Sequence, residues 1–302
     1  MESYRQAVGV LPQPLRAQAL AVDELVMART EEVRLRVGRP PTLVLPEGEW
    51  PIPGAVPVDT GLLGQVVELA SRWSLHTVLE QLRRGYLTVE GGHRLGLCGT
   101  AVMEGGTIHA LRDLSGANLR VARQKKGIAG PTAAVLCGEG QLPNTLILAP
   151  PGAGKTTLLR DLIRCLSSGE VGRPVRVAVA DERGELAALW HGRPSMDLGS
   201  CTDILDSCPK ALAIPMLLRG MNPHVIAVDE ITDREDIAAM EQAVGCGVAL
   251  LATAHGSGPE DLKRRPIYWE MVRKRIFQVL VTIRVEEGRR VIQTDAMERF
   301  LC

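Results

Sequence analysis

The most informative stretch of the sequence is Thr145-Leu-Ile-Leu-Ala149-Pro-Pro-Gly-Ala-Gly-Lys155-Thr156-Thr157. It opens with a short apolar run typical of a buried strand, and an amphipathic helical spacing continues from Thr156 to Leu166. Between them stands the spacing G-x-x-x-x-G-K-[ST] of a phosphate-binding loop, with Ala149 where the first glycine is usual. The stretch therefore predicts a strand, a phosphate-binding loop and a helix in succession.

The residue types in this loop suit the binding of a nucleoside triphosphate. Gly152 and Gly154 allow backbone conformations that turn N–H groups toward phosphate oxygens. Lys155 is expected to reach the β- and γ-phosphates and Thr156 to offer its hydroxyl to Mg²⁺, at the positive end of the helix. The predicted nucleotide-binding residues are Ala149, Pro150, Pro151, Gly152, Ala153, Gly154, Lys155, Thr156 and Thr157. The alternative is a glycine-rich turn that only caps a helix, and alanine at 149 suits the loop only if its φ is negative.

A second apolar run, Val225–Val228, ends in the acid pair Asp229-Glu230. Next to a phosphate-binding loop, this pattern predicts that Asp229 holds Mg²⁺ and that Glu230 polarises the attacking water as a general base. The alternative is an acidic helix start, capped by Thr232 or Asp233. Together the two motifs predict ATP hydrolysis, with ATP and Mg²⁺ bound.

Two further polar clusters follow apolar strands, Asp181–Glu185 after 175–180 and Thr253–Gly256 after 248–252. Residues just past the carboxyl ends of parallel strands face the ligand crevice of an α/β sheet. Glu182 and His255 are therefore candidate catalytic residues on the same edge as the loop. His255 would sense the γ-phosphate or position water, and the alternative is a structural histidine.

The order of strand-like and helix-like segments along the chain predicts two domains. From residue 126 onward, short apolar runs alternate with helices, which indicates an α/β domain whose mostly parallel sheet is covered on both faces. Residues 1–125 combine an alternating strand at Val33–Val37, two helices within 62–84 broken near Trp73-Ser74, and short strands joined by glycine pairs, which indicates a small α+β domain.

The amino-acid composition argues against several classes of function. Among 302 residues, 35 Lys+Arg balance 35 Asp+Glu, and aromatic residues make up 3%. This argues against binding nucleic acid by bulk charge or by aromatic stacking. The seven scattered cysteines contain no C-x-x-C pair, which favours a reducing compartment over a zinc site. No apolar stretch approaches the roughly 20 residues of a membrane span, so a cytoplasmic protein, peripheral to the membrane, is expected.

Several strings resemble a known group of proteins. The strings Leu218–Ile226, Asp229–Asp233 and Ala252–Gly256 look like those of the secretion-type AAA+ or RecA-like ATPases, which power type II and type IV secretion and pilus machines. A closer resemblance, over nearly the whole chain, is to the stage III sporulation protein AA family of endospore-forming bacteria. The strings that carry it are Glu32–Gly38, Arg84–Gly99, Asn118–Arg123 and Asp181–Glu185.

The resemblance implies a RecA-like P-loop ATPase domain over 126–302 and an N-terminal docking or oligomerisation domain over 1–125. It implies a homo-hexamer in which Arg120 and Arg123 act in trans on the γ-phosphate, although a solvated basic linker is an equal alternative. It also implies a motor on the mother-cell face of the sporulation channel, with membrane proteins as partners and no nucleic acid. Asp229 departs from the glycine that many secretion ATPases carry there.

Two other functions stay open. One is a nucleic-acid-dependent RecA-type ATPase, because the basic run Lys263–Arg265 and Arg273–Arg275 offers a small cationic surface. The other is a nucleotide-dependent scaffold that does not hydrolyse, in which Ala149 weakens the loop. Stimulation by DNA would favour the first, and binding without turnover would favour the second.

Overall fold

The structure, a computed structural model, describes residues 1–71, 85–138, 140–286 and 289–300. By its internal contacts the chain divides into two units. The N-terminal unit is Met1–Arg123 together with Trp190–Ser195, and the C-terminal unit is Gln124–Leu189 together with Met196–Cys302. Each unit has its own hydrophobic core.

The N-terminal unit is an antiparallel sheet with short helices. Its strands are β1 (Glu32–Arg36), β2 (Thr42–Leu45), β3 (Gly48–Pro51), β4 (Tyr86–Val89), β5 (His93–Glu104) and β6 (Thr107–Arg120). Its helices are α1 (Glu2–Ala7), α2 (Leu15–Leu20), α3 (Glu24–Arg29) and α4 (Thr60–Ser71), with a 3₁₀ turn at Val8–Val10. The strand order is β3-β2-β1-β6-β5-β4, and every described neighbouring pair is antiparallel.

Alternating burial explains this sheet. In β1, Val33 and Leu35 are buried while Arg36 is exposed, as expected for a strand with one face on a core. The predicted glycine-pair turns join β4 to β5 and β5 to β6, and all four of their glycines have a positive φ. Of the apolar residues between 38 and 64, Leu43 and Ile52 enter the core, whereas Trp50 stays 58% exposed.

The C-terminal unit is a seven-stranded sheet flanked by helices. Its strands are β7 (Thr145–Ala149), β8 (Val177–Asp181), β11 (Thr202–Asp206), β12 (Val225–Val228), β13 (Ala249–His255), β14 (Val279–Glu286) and β15 (Arg289–Ala296). Two further short strands, β9 (Leu189–Trp190) and β10 (Arg193–Pro194), pair with each other in a separate ribbon, whose residues from Trp190 onward are assigned to the N-terminal unit. Its helices are α5 (Gly130–Leu136), α6 (Lys155–Ser168), α7 (Lys210–Met221), α8 (Arg234–Gly245), α9 (Glu260–Arg264) and α10 (Pro266–Arg273), with a 3₁₀ turn at Met297–Phe300. The strand order is β11-β8-β12-β13-β7-β14-β15, and only β14 and β15 pair antiparallel.

Both faces of this sheet are buried. In β7, Leu146 and Leu148 belong to one hydrophobic cluster, whereas Ile147 and Ala149 belong to another. Because alternate residues of a strand point to opposite faces, the two clusters cover opposite sides of the sheet. The prediction of an α/β domain with a mostly parallel sheet, preceded by a small α+β region, is confirmed. Within the described ranges, no helix combines the length and the apolar character needed to cross a membrane.

Some elements differ from the expectation. α4 forms the first of the two helices expected within 62–84, and the second, with the break near Trp73, lies outside the described residues. Near the end of the chain, β14 and β15 pair antiparallel, and residues 287 and 288 between them also lie outside the described residues. β6 continues to Arg120, because it pairs with β5 along its length and also pairs with β1 from Gly116 to Arg120. The sequence analysis missed β11 and α7 altogether.

Candidate nucleotide-binding site

The loop between β7 and α6 has the backbone that a phosphate-binding loop requires. Ala149 is the last residue of β7, pairs in register with His255 and lies outside the positive-φ region. The positive φ values fall on Gly152 (+74°) and Gly154 (+105°), where a side chain would be strained. Alanine at 149 is therefore compatible with the loop.

Lys155, the first residue of α6, turns back over the loop. Its Nζ donates to the carbonyl oxygens of Ala149 at 3.2 Å and Pro150 at 3.3 Å, and it lies 2.9 Å from Nδ1 of His255. Burial lowers the pKa of Lys155, and the nearby carboxylates of Asp229, Glu230 and Glu185 oppose that shift. The ammonium is thus held inside the site by oxygen and nitrogen acceptors.

The second residue of α6 joins the loop to the acidic strand end. The Thr156 hydroxyl donates to Oδ2 of Asp229 at 2.9 Å, and the Thr253 hydroxyl donates to Oδ1 at 2.6 Å. Burial raises the pKa of Asp229, and these two hydrogen bonds act in the opposite direction. Thr253 also accepts from the backbone N–H of Glu230 at 2.8 Å, so one hydroxyl orients both acids.

Glu230 has an unusual backbone and two side-chain partners. Its φ is +50°, a left-handed conformation that a non-glycine residue keeps only where its surroundings hold it. Its Oε1 lies 2.9 Å from Nε2 of His255, and its Oε2 accepts from Nη1 of Arg183 at 2.6 Å. Because the Lys155 ammonium has no acceptor, Nδ1 of His255 accepts from it and Nε2 carries the proton toward Glu230. Lys155, His255, Glu230 and Arg183 therefore form one continuous chain of polar contacts.

The acidic segment after β8 is a tight turn built on Asp181. The Asp181 carboxylate accepts from the backbone N–H groups of Glu185 at 2.8 Å, Leu186 at 3.1 Å and Ala187 at 2.8 Å. Burial raises the pKa of Asp181, and these backbone hydrogen bonds oppose the shift. The turn directs the Glu185 side chain into the cleft. Glu182 is directed elsewhere and forms an ion pair with the buried Lys210.

These elements surround a polar cleft of about 320 Å³. It is lined by Pro151, Gly152, Gly154, Lys155, Thr156, Thr157, Glu185, Asp229, Glu230 and His255. Arg290 of β15 supports the loop from the side, since its Nε donates to the carbonyl of Ala153 at 2.8 Å. The loop at this cleft can offer backbone N–H groups and an ammonium to an anion, and three carboxylates line the same cleft.

The donor set fits Mg²⁺. The Thr156 hydroxyl and the Asp229 carboxylate are hard oxygen donors only 2.9 Å apart. No group of three or more His, Cys, Asp or Glu side chains suited to a metal occurs among the residues that the structure describes. Mg²⁺ at phosphate sites uses one or two protein ligands and completes its shell with phosphate oxygens and water, so two donors suffice.

The structure therefore brings together most of the predicted site residues, namely Pro151, Gly152, Gly154, Lys155, Thr156, Thr157, Asp229, Glu230 and His255. The two predicted trans arginines belong to the N-terminal unit. Arg120 ends β6, is 66% exposed and lies 3.3 Å from Glu32. Arg123 donates to the carbonyl of Met27 at 3.0 Å, and burial lowers its pKa.

The structure adds Glu185 and Thr253 to the site, and it gives Arg183, which lies in a segment that carries the family resemblance, a contact with Glu230. Glu185 and Arg183 lie in the acidic segment that was singled out, but the candidate role there went to Glu182. Thr253 lies two residues before His255 at the end of an apolar strand, where a buried threonine is expected to belong to the core. The sequence feature that could have identified it is its position at the carboxyl end of a parallel strand next to the acid pair.

Comparison with solved structures identifies the fold. The ATPase DotB of Legionella pneumophila matches with a TM-score of 0.60 at 16% identity, covering 94% of this chain and 81% of that one. The pilus retraction motor PilT, solved with bound ADP, matches with a TM-score of 0.60 at 18% identity, covering 88% of this chain and 78% of that one. The fold is thus the RecA-like fold of the secretion ATPases.

Comparison with protein families is more specific. A sequence model of the family "Sporulation stage III, protein AA" matches residues 2–299, and the chain belongs to this family. Stage III sporulation protein AA of Bacillus subtilis (strain 168) is 39% identical over 269 residues, which cover 89% of this chain and 87% of that protein. The plant protein SEEDLING PLASTID DEVELOPMENT 1 of Arabidopsis thaliana is 27% identical over 304 residues, 96% of this chain but 39% of its own length. The resemblance inferred from sequence strings is confirmed.

Proposed function

We propose that this chain binds Mg–ATP and hydrolyses it to ADP and phosphate, and that it works as a motor of the secretion-ATPase kind. The observation that carries the proposal is the convergence of two motifs, in which the hydroxyl of Thr156 lies 2.9 Å from the carboxylate of Asp229. A glycine-rich turn that only caps a helix would not require an acid pair from another strand at this distance.

Each residue of the cleft has a role in the proposed reaction. The loop N–H groups and Lys155 bind the phosphates, and Lys155 must leave the carbonyl oxygens that it now contacts to do so. Thr156 and Asp229 would hold Mg²⁺, which would neutralise negative charge on the phosphates. Glu230 accepts the proton of the attacking water as a general base. His255 lies within hydrogen-bond reach of both Lys155 and Glu230, which suits a sensor of the γ-phosphate.

We further propose a homo-hexamer in which Arg120 or Arg123 of one subunit completes the site of its neighbour. The exposure of Arg120 supports this role better than the position of Arg123, which is engaged by the Met27 carbonyl. An arginine supplied in trans raises turnover by about 10³-fold or more. Mixing Arg120→Ala with Lys155→Ala subunits should restore turnover in some mixed rings, and no recovery at any ratio would refute an action of Arg120 in trans.

The biological setting of the proposal follows from the family. A chain of this family that hydrolyses ATP would drive membrane proteins of the sporulation channel from the cytoplasmic, mother-cell face, as a peripheral protein. The N-terminal unit would serve docking or subunit contact. Reconstitution with those membrane proteins tests this setting, since turnover should rise when they are present.

The test of the proposed activity is turnover by the purified chain. Lys155→Ala should lose nucleotide affinity, whereas Glu230→Gln should keep affinity and lose turnover by about 10²–10⁴-fold. The matched control is Glu235→Gln, since this exposed glutamate lies in the first turn of α8, outside the cleft. Binding without turnover in the parent protein would favour the scaffold instead, and stimulation by DNA with a steep salt dependence would favour the nucleic-acid-dependent ATPase.

A further inference from the structure

We propose that Arg183 is a positioning residue that holds Glu230 in the orientation of a general base. The inference rests on the proposed function, because it assigns Arg183 a part in the hydrolysis attributed to the cleft. Its basis is the short contact from Nη1 of Arg183 to Oε2 of Glu230, 2.6 Å long. It extends the site by one residue beyond the two motifs.

The two oxygens of Glu230 have different surroundings. Oε1 lies 2.9 Å from His255, which lines the cleft and also contacts Lys155. Oε2 is bound by Arg183, which does not line the cleft. The arginine therefore holds one carboxylate oxygen from outside the cleft, while the other oxygen contacts a ring that lines the cleft. This geometry sets Arg183 apart from an arginine that contacts the phosphate itself.

The backbone on both sides of this contact is fixed. Glu230 is held at φ +50°, and its N–H donates to Thr253 at 2.8 Å. Arg183 stands within the turn that the Asp181 carboxylate closes by accepting backbone N–H groups from Glu185 to Ala187. With the main chain held at both ends, the ion pair with Arg183 and the contact with His255 together fix the side-chain orientation of Glu230. Positioning of this kind affects the rate, because a base must point at its proton in the transition state.

The solvent exposure of the Arg183–Glu230 ion pair makes it possible to distinguish a positioning role from a role in stability. The Arg183 side chain is 54% exposed and that of Glu230 25% exposed. An ion pair this close to solvent contributes little to the stability of a fold. Removal of Arg183 should therefore leave folding and nucleotide binding intact while the rate falls.

The test compares Arg183→Gln and Arg183→Lys with the parent full-length chain in steady-state ATP hydrolysis. For Arg183→Gln we expect kcat to fall by about tenfold or more while KM stays within about twofold, because ground-state binding does not involve this residue. Arg183→Lys should recover part of the loss, since an ammonium can still contact Oε2. Arg173→Gln, at an exposed arginine in the loop before β8, is the matched control and should retain the parent rate.

A combined variant makes the test specific to Glu230. In the Glu230→Gln background, Arg183→Gln should lower the residual rate by less than about twofold, because the group that it orients is gone. An unchanged or raised kcat in Arg183→Gln, a parallel rise of KM, or a further large loss in the combined variant would each overturn the inference. If the parent chain itself shows no turnover, the proposed function fails, whereas turnover with an insensitive Arg183→Gln refutes only the inference.

Discussion

The two sheets of this chain differ in strand direction, and that difference explains why the candidate site lies in the C-terminal unit. In the C-terminal unit, β7, β8, β12 and β13 run parallel, so their carboxyl ends meet at one edge. The residues at and just after those ends include Lys155, Asp181, Asp229 and His255. In the N-terminal unit neighbouring strands run in opposite directions, so successive strand ends alternate between two edges. A parallel sheet thus gathers side chains that are far apart in sequence.

Buried polar groups follow the same division. Among the described residues of the N-terminal unit, no Lys, Arg, Asp or Glu side chain is buried. The C-terminal unit buries several charged groups, including Lys155, Asp181 and Lys210, each with a polar partner. Burial of charge is costly unless it is paired, and its concentration in one unit indicates where function requires it.

The substitution with the largest expected effect tests whether the N-terminal unit contributes to the nucleotide site. Leu95→Ala removes a fully buried side chain of β5 and should lower the free energy of unfolding by about 2–5 kcal/mol. Urea denaturation measures this loss, and Leu25→Ala, at a residue 74% exposed, is the control. The affinity of the variant for Mg–ATP, measured under conditions in which the variant is folded, should equal that of the parent protein. A large loss of affinity would break the contrast between the units.

The next effect is a pH dependence that belongs to the N-terminal unit. Burial, and then the positive charge of Arg123, lower the pKa of His93 from 6.5 to about 4. The unfolded chain therefore binds a proton between those pH values and the folded chain does not, so stability is lost as the pH falls from 6.5 toward 4. The loss attributable to His93 should be about 3 kcal/mol at most. Urea unfolding across this range should give a flatter profile for His93→Gln, and an equal slope would contradict the assignment.

A smaller effect is expected at the anchor of the acidic turn. Asp181→Asn leaves one acceptor oxygen for the three N–H groups of Glu185, Leu186 and Ala187, and should cost about 1–2 kcal/mol of stability. The kcat for ATP should also fall, because the turn carries both Arg183 and Glu185. Asp203→Asn, at an exposed position of β11, is the control. If the Asp181→Asn variant keeps both the stability and the kcat of the parent protein, the turn does not depend on this carboxylate.

The smallest effect concerns the alanine at the start of the loop. Ala149→Gly should leave Mg–ATP affinity within about twofold and reduce stability by about 0.5–1 kcal/mol, since glycine weakens a strand without serving the loop. Gly152→Ala, where φ is +74°, is the contrasting variant and should weaken binding through strain. Isothermal titration would decide, and a marked gain of affinity in Ala149→Gly would mean that alanine impairs the loop.

Much of the fold could be predicted from local patterns. The run Val225–Val228 forms a strand with the predicted bounds, because four consecutive apolar residues suit a strand buried on both faces. By contrast, β11 carries Thr202, Asp203 and Asp206 and lies at the sheet edge, so no apolar run marks it. α7 has Pro215 inside it, and exposed apolar residues such as Leu212 blur its helical periodicity. Tertiary contacts form both elements, and the local pattern does not reveal them.

The site divides in the same way. Lys155, Asp229 and Glu230 stand at fixed spacings after strands, so the sequence locates them. The choice between Glu182 and Glu185 depends on the three-dimensional turn, including the positive φ of Gly184, and on the distant Lys210 that binds Glu182. No spacing within the segment encodes that partner, and so the sequence indicated the acidic segment but not which of its glutamates lines the cleft.

The contacts of Lys155 make ligand entry an exchange of partners. The ammonium carries three hydrogens, and in this state Ala149, Pro150 and His255 provide three acceptors. In the proposed function, a triphosphate would replace these acceptors and leave the imidazole of His255 without its lysine partner. Nucleotide binding would then change the hydrogen bonding of Glu230, because His255 contacts both Lys155 and Glu230.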